Sequence, residues 1–510
     1  MSGFIRPGAE VSSDVEEACD VCIVGSGAGG AVLAAGLVAQ GLDVVMLEAG
    51  GAFTHEDFDL HEQSAYPAMY QDRGTRATAD LAISILQGRT VGGSTTVNWT
   101  TCYRTPERIL THWEREHGIE GLDADTLRPH FEAVEERLHI HKWPEGMANA
   151  NNRVVLRGAR ALGWEADTTR RNVKGCANSG FCGMGCPVDG KQAMHVTYLR
   201  DAVAGGLRLY ADTEARRVVV EGGRAVRVDA SVLGRSDSRD TGRRVVVRPK
   251  AVALCGGAIN SPALLLRSGL DLGGRVGRRT FLHPVVGMAG LFEERIEGFY
   301  GAPQSAASHH FIERGTDKVG FFLEAAPVHP MLIALGTGGF GAAHAAFMEK
   351  LPHAAALLAL CVDGLVPGDD GGTVSLRSDG RIRVDYPVRP ALEEGFRAAH
   401  RALAELALAA GASEAISMHA DPVFMASTSD LARLDAAPYG AHAHGIFTAH
   451  QMGGCGMGAD GVVDAEHRLR GVGNLFVVDG SVLPTALGVN PSQTIYGLAH
   501  RARAFVASAV

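Results

Sequence analysis

Residues 20–50 carry the clearest chemistry in the chain. Gly25-Ser26-Gly27-Ala28-Gly29-Gly30 forms a G-x-G-x-x-G turn between an apolar run, Val21–Val24, and an amphipathic helical stretch, Ala31–Ala39. A second apolar run, Val44–Leu47, ends at Glu48. The residue types suit a pyrophosphate. Gly25 permits the tight bend and Gly27 lets the backbone approach the phosphates. Gly30 allows the helix to pack closely on the strand, and the N–H groups at the helix start, from Ala28 on, face the anion. Glu48 stands where a carboxylate accepts from ribose hydroxyls. The glycine pattern alone is weak evidence. Strand, turn, helix, strand and acid in this order define a dinucleotide site.

The elements that position such a site are spread along the chain. Gly88-Arg-Thr-Val-Gly-Gly-Ser94 is a second glycine-rich turn. Residues 107–171 read as helix-rich. Residues 206–254 read as a meander of short strands, Leu207–Ala211, Arg217–Val220, Ala225–Val232, Arg244–Arg248 and Ala251–Cys255. Helices are expected at Ile259–Ser268 and Ala391–Ala410. Asn474–Asp479 reads as a buried strand that runs into Gly480, and a helix from Pro491 to about Ala507 follows. The Asp479-Gly480 turn is of the kind that sits against a flavin's ribityl–phosphate chain, so the nucleotide domain draws on both ends of the sequence.

Composition bounds the alternatives. A length of 510 residues suits two domains or one large elaborated one. With 46% apolar and 21% charged residues the chain can bury a large core. With a net charge of −9 and no Lys/Arg block, nothing argues for a nucleic-acid or anionic-membrane surface. Nine cysteines cannot all pair internally, and the polar, acidic first 18 residues read as a tail without a secretory segment, so a reducing cytoplasmic setting is expected. Residues 325–348 lack Asp, Glu, Lys and Arg. Their prolines, histidines and glycines argue against a membrane-spanning helix and for a buried segment or an apolar pocket wall.

Four blocks, Asp20–Gly51, Gly88–Pro106, Arg248–Gly269 and Thr448–Arg503, together resemble the glucose–methanol–choline (GMC) flavoprotein oxidoreductases. The HQMGGCGMG and NLFVVDGSVLPTALGVNPSQTI stretches look most like the long-chain alcohol oxidase and cholesterol oxidase branch. Gly175–Pro187 with Lys191 is similar to the long-chain alcohol oxidases. The resemblance implies an α/β chain with a Rossmann-like FAD-binding domain and a second α+β substrate-binding domain on an antiparallel sheet. The expected division is 15–110, 195–300 and 440–510 for the first and 111–194 and 301–439 for the second. It further implies FAD contacts from Gly92, Gly93, Ser94 and Asn98, from Val218 toward adenine, and from Asp479, Gly480, Asn490, Pro491 and Thr494. The position where some relatives attach FAD through a His is Val97, so the FAD is expected to be non-covalent.

The same resemblance makes His450 and Asn490 the catalytic pair. A neutral imidazole near its ordinary pKa accepts a hydroxyl proton at physiological pH, and an amide can hold the developing alkoxide. Hydride then passes to flavin N5. The expected reaction oxidises a hydrophobic or bulky alcohol, with O2 or another carrier as final acceptor. A hydroxynitrile-lyase-like enzyme with redox-silent FAD is the alternative. Asn490 precedes Pro491 at a helix start, so a capping role competes with a substrate role. His442, His444 and His450 lack the partners of a metal set, and Cys176, Cys182 and Cys186 do not have a standard ligand spacing, so no metal is expected. His283-Pro284 reads as a structural turn, and Glu324 either as a substrate-domain acid near the pocket or, the plainer reading, as a solvated strand-end carboxylate.

Overall fold

A computed structural model describes residues 3–337 and 339–510. Two large sheets organise it. The first has eight strands. Phe4–Arg6, Arg208–Tyr210, Val44–Leu47, Val15–Val24 and Asp240–Leu254 lie side by side and parallel. Arg224–Leu233 and Thr213–Glu221 continue from Asp240–Leu254 as antiparallel strands, and Leu475–Val477 pairs parallel with its end.

Strand Val15–Val24 shows why the centre of this sheet reads as an unbroken apolar run. Val21 and Ile23 pack under the helices Ala28–Ala39 and Ser492–Ala507, while Cys22 and Val24 enter the core on the opposite face. A strand covered on both faces needs apolar residues on both.

The second sheet is mostly antiparallel. Its order is Phe424–Met425, Glu414–Ser417, Val285–Leu291, Ala354–Cys361, Phe321–Ala325, Ala306–Ser308 and Asp167–Thr168. The helices Ala150–Leu162 and Pro390–Ala409 share a core with one face of it. Phe447–Thr448 pairs with Val285 of this sheet and with Ser84–Ile85, which carries the chain toward His450 between the two domains.

Several expectations change. The N-terminal tail is part of the fold, because Phe4–Arg6 forms the edge strand beside Arg208–Tyr210. The runs 244–248 and 251–255 fuse into one 15-residue strand, Asp240–Leu254. Pro249 is tolerated there because the neighbour on one side changes near it, from Arg224–Leu233, last paired at Val247, to Leu475–Val477, first paired at Val252. Val285–Leu291 belongs to the second sheet, not to a first domain extending to 300. Helix Ala124–Arg137 packs against Ser492–Ala507, so this part of 111–194 belongs with the nucleotide sheet. Residues 325–329 are buried, but the helices that follow, Pro330–Gly336 and Gly341–Glu349, lie at the surface with Leu335 and Phe340 exposed, so the described residues of 330–348 form no buried wall.

Phe396, fully buried in helix Pro390–Ala409, tests the packing of the second domain. Phe396→Ala should lower unfolding stability by about 3–5 kcal/mol. A denaturant titration with an unchanged midpoint would refute this packing.

Candidate active site

The glycine turn does what its spacing implies at Gly25, which sits at φ +101; a Cβ there would lie 2.4 Å from the Cys255 carbonyl oxygen. Gly27 caps helix Ala28–Ala39, and no side chain takes the N–H groups of its first turn. The closest helix-to-strand approach falls at Gly29, where a Cβ would come within 1.8 Å of the Val478 oxygen. The fifth position of the motif was a visible signal for this contact that the standard spacing passes over. Gly30 packs on Gly25, whose carbonyl oxygen a Cβ would meet at 2.0 Å.

Glu48 Oε2 accepts from the Ser26 N–H and hydroxyl, at 2.9 and 2.7 Å, and Oε1 accepts from Gly50 N–H at 2.7 Å. Glu48 lines the cavity, and Oε1, with one donor, retains accepting capacity. Burial pushes this carboxyl up, against those hydrogen bonds.

The second glycine turn meets the first. Gly93 sits at φ +56, and a Cβ on it would lie 2.7 Å from Gly27 Cα. A side chain at Gly93 would therefore separate the two loops, whereas a Cβ at Gly27 would meet Gly93 Cα at 3.6 Å, an ordinary contact. Gly92 N–H donates to Ser26 Oγ at 3.0 Å and ties the loops together. Behind them Lys191, buried, donates from Nζ to the carbonyls of Thr96, Asn98 and Cys182 at 2.5, 3.1 and 2.6 Å. The Cys176–Cys186 loop thereby braces the 94–98 segment, and its three cysteines are free thiols. Among the described residues no group of three or more His, Cys, Asp or Glu is placed to hold a metal ion.

His450 and Asn490 are brought together. His450 Nε2 lies 3.4 Å from Asn490 Nδ2, and His450 N–H donates to Thr448 Oγ1 at 3.1 Å. Burial pushes the His450 imidazolium down to about 4, so the ring is neutral at physiological pH. Helix Ser492–Ala507 takes Pro491 as its N-cap with no side-chain cap, so the competition over Asn490 is settled for the cavity. Asn490 Oδ1 is buried without a partner.

Two further groups attach to the pair. His283 Nδ1 lies 3.3 Å from His450 Nδ1. Glu324 adjoins the Asn490 amide, and burial pushes its carboxyl up to about 8. Glu324 is 0% exposed in mid-strand, so the solvated strand-end reading is corrected.

A cavity of about 1070 Å³ joins these parts. Among the residues lining it are Gly25, Gly27, Ala28 and Glu48, then Gly93, Ser94 and Asn98, and from the C-terminal block His450, Asp479, Gly480, Asn490 and Pro491. Val218 does not line it, since its N–H goes to Ser268 Oγ at 2.9 Å. The ladder register skips Arg216 between Ala215 and Arg217, and this bulge turns Thr213–Arg216 toward the cavity in its place. Thr494 also lies outside, its hydroxyl 2.8 Å from that of Thr105. Sequence reasoning missed Arg76, Gln87, Gly257 and Gln451, which line the cavity; Gly257 and Gln451 lie inside the Arg248–Gly269 and HQMGGCGMG stretches, Arg76 and Gln87 outside any motif.

A nucleotide-binding sheet, two interlocked glycine turns and an imidazole–amide pair at the far end of one long cavity define a two-domain dinucleotide-dependent enzyme. FAD fits the residues present. The glycine cradle that a Cβ would fill, the free lone pair of Glu48 and the orphaned Asn490 Oδ1 all face the cavity or adjoin it, and Val97, on its wall, offers no nucleophile for covalent attachment.

Residues 66–285 and 367–499 match the N- and C-terminal family models described as GMC oxidoreductase. An uncharacterized GMC-type oxidoreductase of Mycobacterium tuberculosis is 34% identical over 97% of this chain and 77% of its own length. A long-chain-alcohol oxidase of Arabidopsis thaliana is 30% identical over 97% of this chain and 69% of its own. Among solved structures, pyridoxine 4-oxidase from Mesorbium loti superposes with a TM-score of 0.69 at 22% identity, covering 96% of this chain and 99% of that one. The chain belongs to the GMC oxidoreductase family and is an FAD-dependent oxidoreductase acting on CH–OH groups.

Gly93→Ala should cost about 1–3 kcal/mol of strain where the two loops touch, and so weaken FAD binding about tenfold or more. Flavin released on dialysis measures this, with circular dichroism checking that the fold persists. Full retention of FAD would show that the loop contact does not shape the cofactor site.

Proposed function

We propose that this enzyme oxidises a hydrophobic or bulky alcohol to the aldehyde or ketone, with O2 as the final electron acceptor. The observation that carries this reading is the pairing of His450 Nε2 and Asn490 Nδ2, 3.4 Å apart on the cavity wall. A hydroxyl oxygen seated against both is held at one point, with the carbinol carbon directed into the cavity. The long-chain-alcohol oxidase relatives support an apolar alcohol, as do Leu86, Val97 and Trp99 among the lining residues. A flavin bound in this cavity would supply the hydride acceptor for the carbinol carbon.

The residues of this chain supply position and charge stabilisation. His450 is neutral above pH of about 4, so it brings no positive charge that would oppose loss of the hydride. Asn490 Nδ2–H strengthens its hold as the oxygen gains negative character. Pro491 opens helix Ser492–Ala507 directly behind the amide, and the helix's positive end favours negative charge at this end of the cavity.

Anaerobic mixing with a series of primary alcohols of increasing chain length should bleach the flavin, faster for longer chains. An absorbance that stays oxidised with every alcohol would sink the redox reading and favour a lyase. His450→Ala and Asn490→Ala should each slow flavin reduction about 10²–10³-fold, measured by anaerobic stopped flow. Rates equal to wild type in both would remove the pair from the chemistry.

A further inference from the structure

Two cations are buried beside the Cys176–Cys186 loop, and among the described residues neither has a carboxylate partner. Arg171 is 0% exposed. Its guanidinium stacks on Trp143 at 4.9 Å, and one terminal nitrogen reaches the Trp99 carbonyl at 3.4 Å and the Cys182 sulfur at 3.8 Å. Its Nε and other terminal nitrogen have no partner. Lys191 directs its ammonium to carbonyls alone. Burial lowers it to about 8, and the groups that oppose this are the thiols of Cys182 and Cys186. A buried charge without an anion beside it is costly.

The groups here that form anions are thiols. Cys176, Cys182 and Cys186 line one small cavity together with Lys191. All three are partly exposed, whereas the other six cysteines are buried. The chain doubles back between Cys182 and Cys186, where Gly183 and Gly185 bridge each other and Gly185 takes φ +91. Lys191 touches both residues: its backbone N–H donates to Cys186 Sγ at 3.3 Å, and its Nζ to the Cys182 carbonyl at 2.6 Å. A sulfur that accepts an N–H in a cationic, partly exposed setting is favoured as the thiolate, and this marks Cys186 as the nucleophile. Burial raises the Cys182 thiol, against the pull of Arg171 and Lys191, and suits it to the second step.

We propose that this loop is a site of oxidation by hydrogen peroxide, with Cys186 as the attacking sulfur and Cys182 as the resolving one. The Cys186 thiolate attacks a peroxide oxygen. The O–O bond breaks, an S–O bond forms, and hydroxide leaves and takes up the thiol proton as water. The Cys182 sulfur then attacks the sulfenic sulfur. The S–O bond breaks, the S–S bond forms, and the second hydroxide leaves with the Cys182 proton. Two thiols are oxidised to one disulfide, and one peroxide is reduced to two waters. Reduction of O2 by two electrons and two protons gives hydrogen peroxide, so with the acceptor proposed above the oxidant is a product of the same enzyme. Only the source of the peroxide rests on that reading.

The site is joined to the cofactor cavity. Lys191 Nζ also holds the carbonyls of Thr96 and Asn98. The Tyr70 hydroxyl donates to the Gly183 carbonyl at 2.7 Å, and a Cβ on Gly183 would lie 3.2 Å from Trp99 Nε1. Tyr70, Asn98 and Trp99 all line the cavity. A disulfide sulfur carries no negative charge and accepts weakly. Oxidation therefore weakens the bond from Lys191 N–H and loosens the brace on residues 94–98, so bound FAD leaves faster.

Purified holoenzyme treated with hydrogen peroxide, quenched with catalase, alkylated while unfolded and mapped by mass spectrometry without reduction tests the site. The expected product is a single Cys182–Cys186 disulfide, reversed by dithiothreitol, with the other cysteines alkylated. In Cys182→Ser the oxidation should stop at a sulfenic acid on Cys186, trapped with dimedone. In Cys186→Ser no such label should form on Cys182. A disulfide through Cys176, a sulfenic label on Cys182 in place of Cys186, or full alkylation of all nine cysteines after treatment overturns the assignment. If a serine variant does not fold, the wild-type map alone decides it.

On dilution, oxidised wild-type enzyme should release FAD about fivefold faster than the reduced form, followed by flavin fluorescence. Peroxide-treated Cys186→Ser should release it at the rate of its own untreated form. Equal rates for oxidised and reduced wild type overturn the link to the cofactor. Because the peroxide is added, failure of every alcohol to reduce the flavin would refute the proposed function and leave the thiol map standing.

Discussion

One buried carboxylate holds together the segments on which the cavity depends. Asp479 Oδ2 accepts from Gly257 N–H at 2.8 Å and from Ser261 Oγ at 2.5 Å, while Oδ1 accepts from the Ser481 N–H and hydroxyl at 2.8 and 2.5 Å. It thus joins the end of strand Leu475–Val477, the start of helix Gly257–Arg267 and the turn at Gly480–Val482. Burial raises this carboxyl, and four donated bonds oppose that. Removing one partner of such a group leaves a buried polar atom unpaired, which costs more than the bond contributed. The expected cofactor contact at Asp479 is therefore joined by a structural one: the same side chain sets the position of the C-terminal block that carries His450 and Asn490.

The first βαβ unit was legible because every part of it is local. Glycine spacing, an apolar strand buried on both faces and an acid at the next strand's end are adjacent in sequence, and they coincide in space. The second sheet was harder to read. Val285–Leu291 pairs with Ala354–Cys361 and Glu414–Ser417, both far along the chain, so nothing near it marks a domain boundary. Glu324 was misread because Phe321–Ala325 is too short to show alternation, and only its neighbours reveal a strand buried on both faces. Val218 was displaced by a bulge at Arg216, a register irregularity that leaves no trace in residue type. His450 and Asn490 could be named from the family's motif, but His283, whose ring meets that of His450, could not. His283 looked like a turn residue, and its contact with His450 is visible only in three dimensions.

The site's electrostatics follow from dryness more than from charge pairing. Burial lowers His283 and His450 and raises Glu48, Asp363, Glu324 and Asp479, the carboxyl of Asp363 to about 7. Each shift disfavours the charged form. In such surroundings hydrogen-bond direction, and not net charge, decides what a group can do.

Proline at 491 completes the same logic from the other side of the pair. A residue before a helix with a free amide would ordinarily cap it. Here Pro491 occupies the N-cap position at φ −81, in a conformation close to its fixed ring geometry, and the helix begins at Ser492 without a side-chain cap. Ser492 Oγ instead donates to the Thr101 carbonyl at 3.2 Å, which ties the helix start to the loop that follows the second glycine turn. Asn490 is thereby released from the backbone and held between His450 and Glu324. The uncapped N–H groups of the first helical turn leave their partial positive charge beside the part of the cavity wall that carries His450 and Asn490. Like several other helices of the chain, this one starts without a side-chain cap, and here the amide and the helix's positive end stand together at the cavity wall.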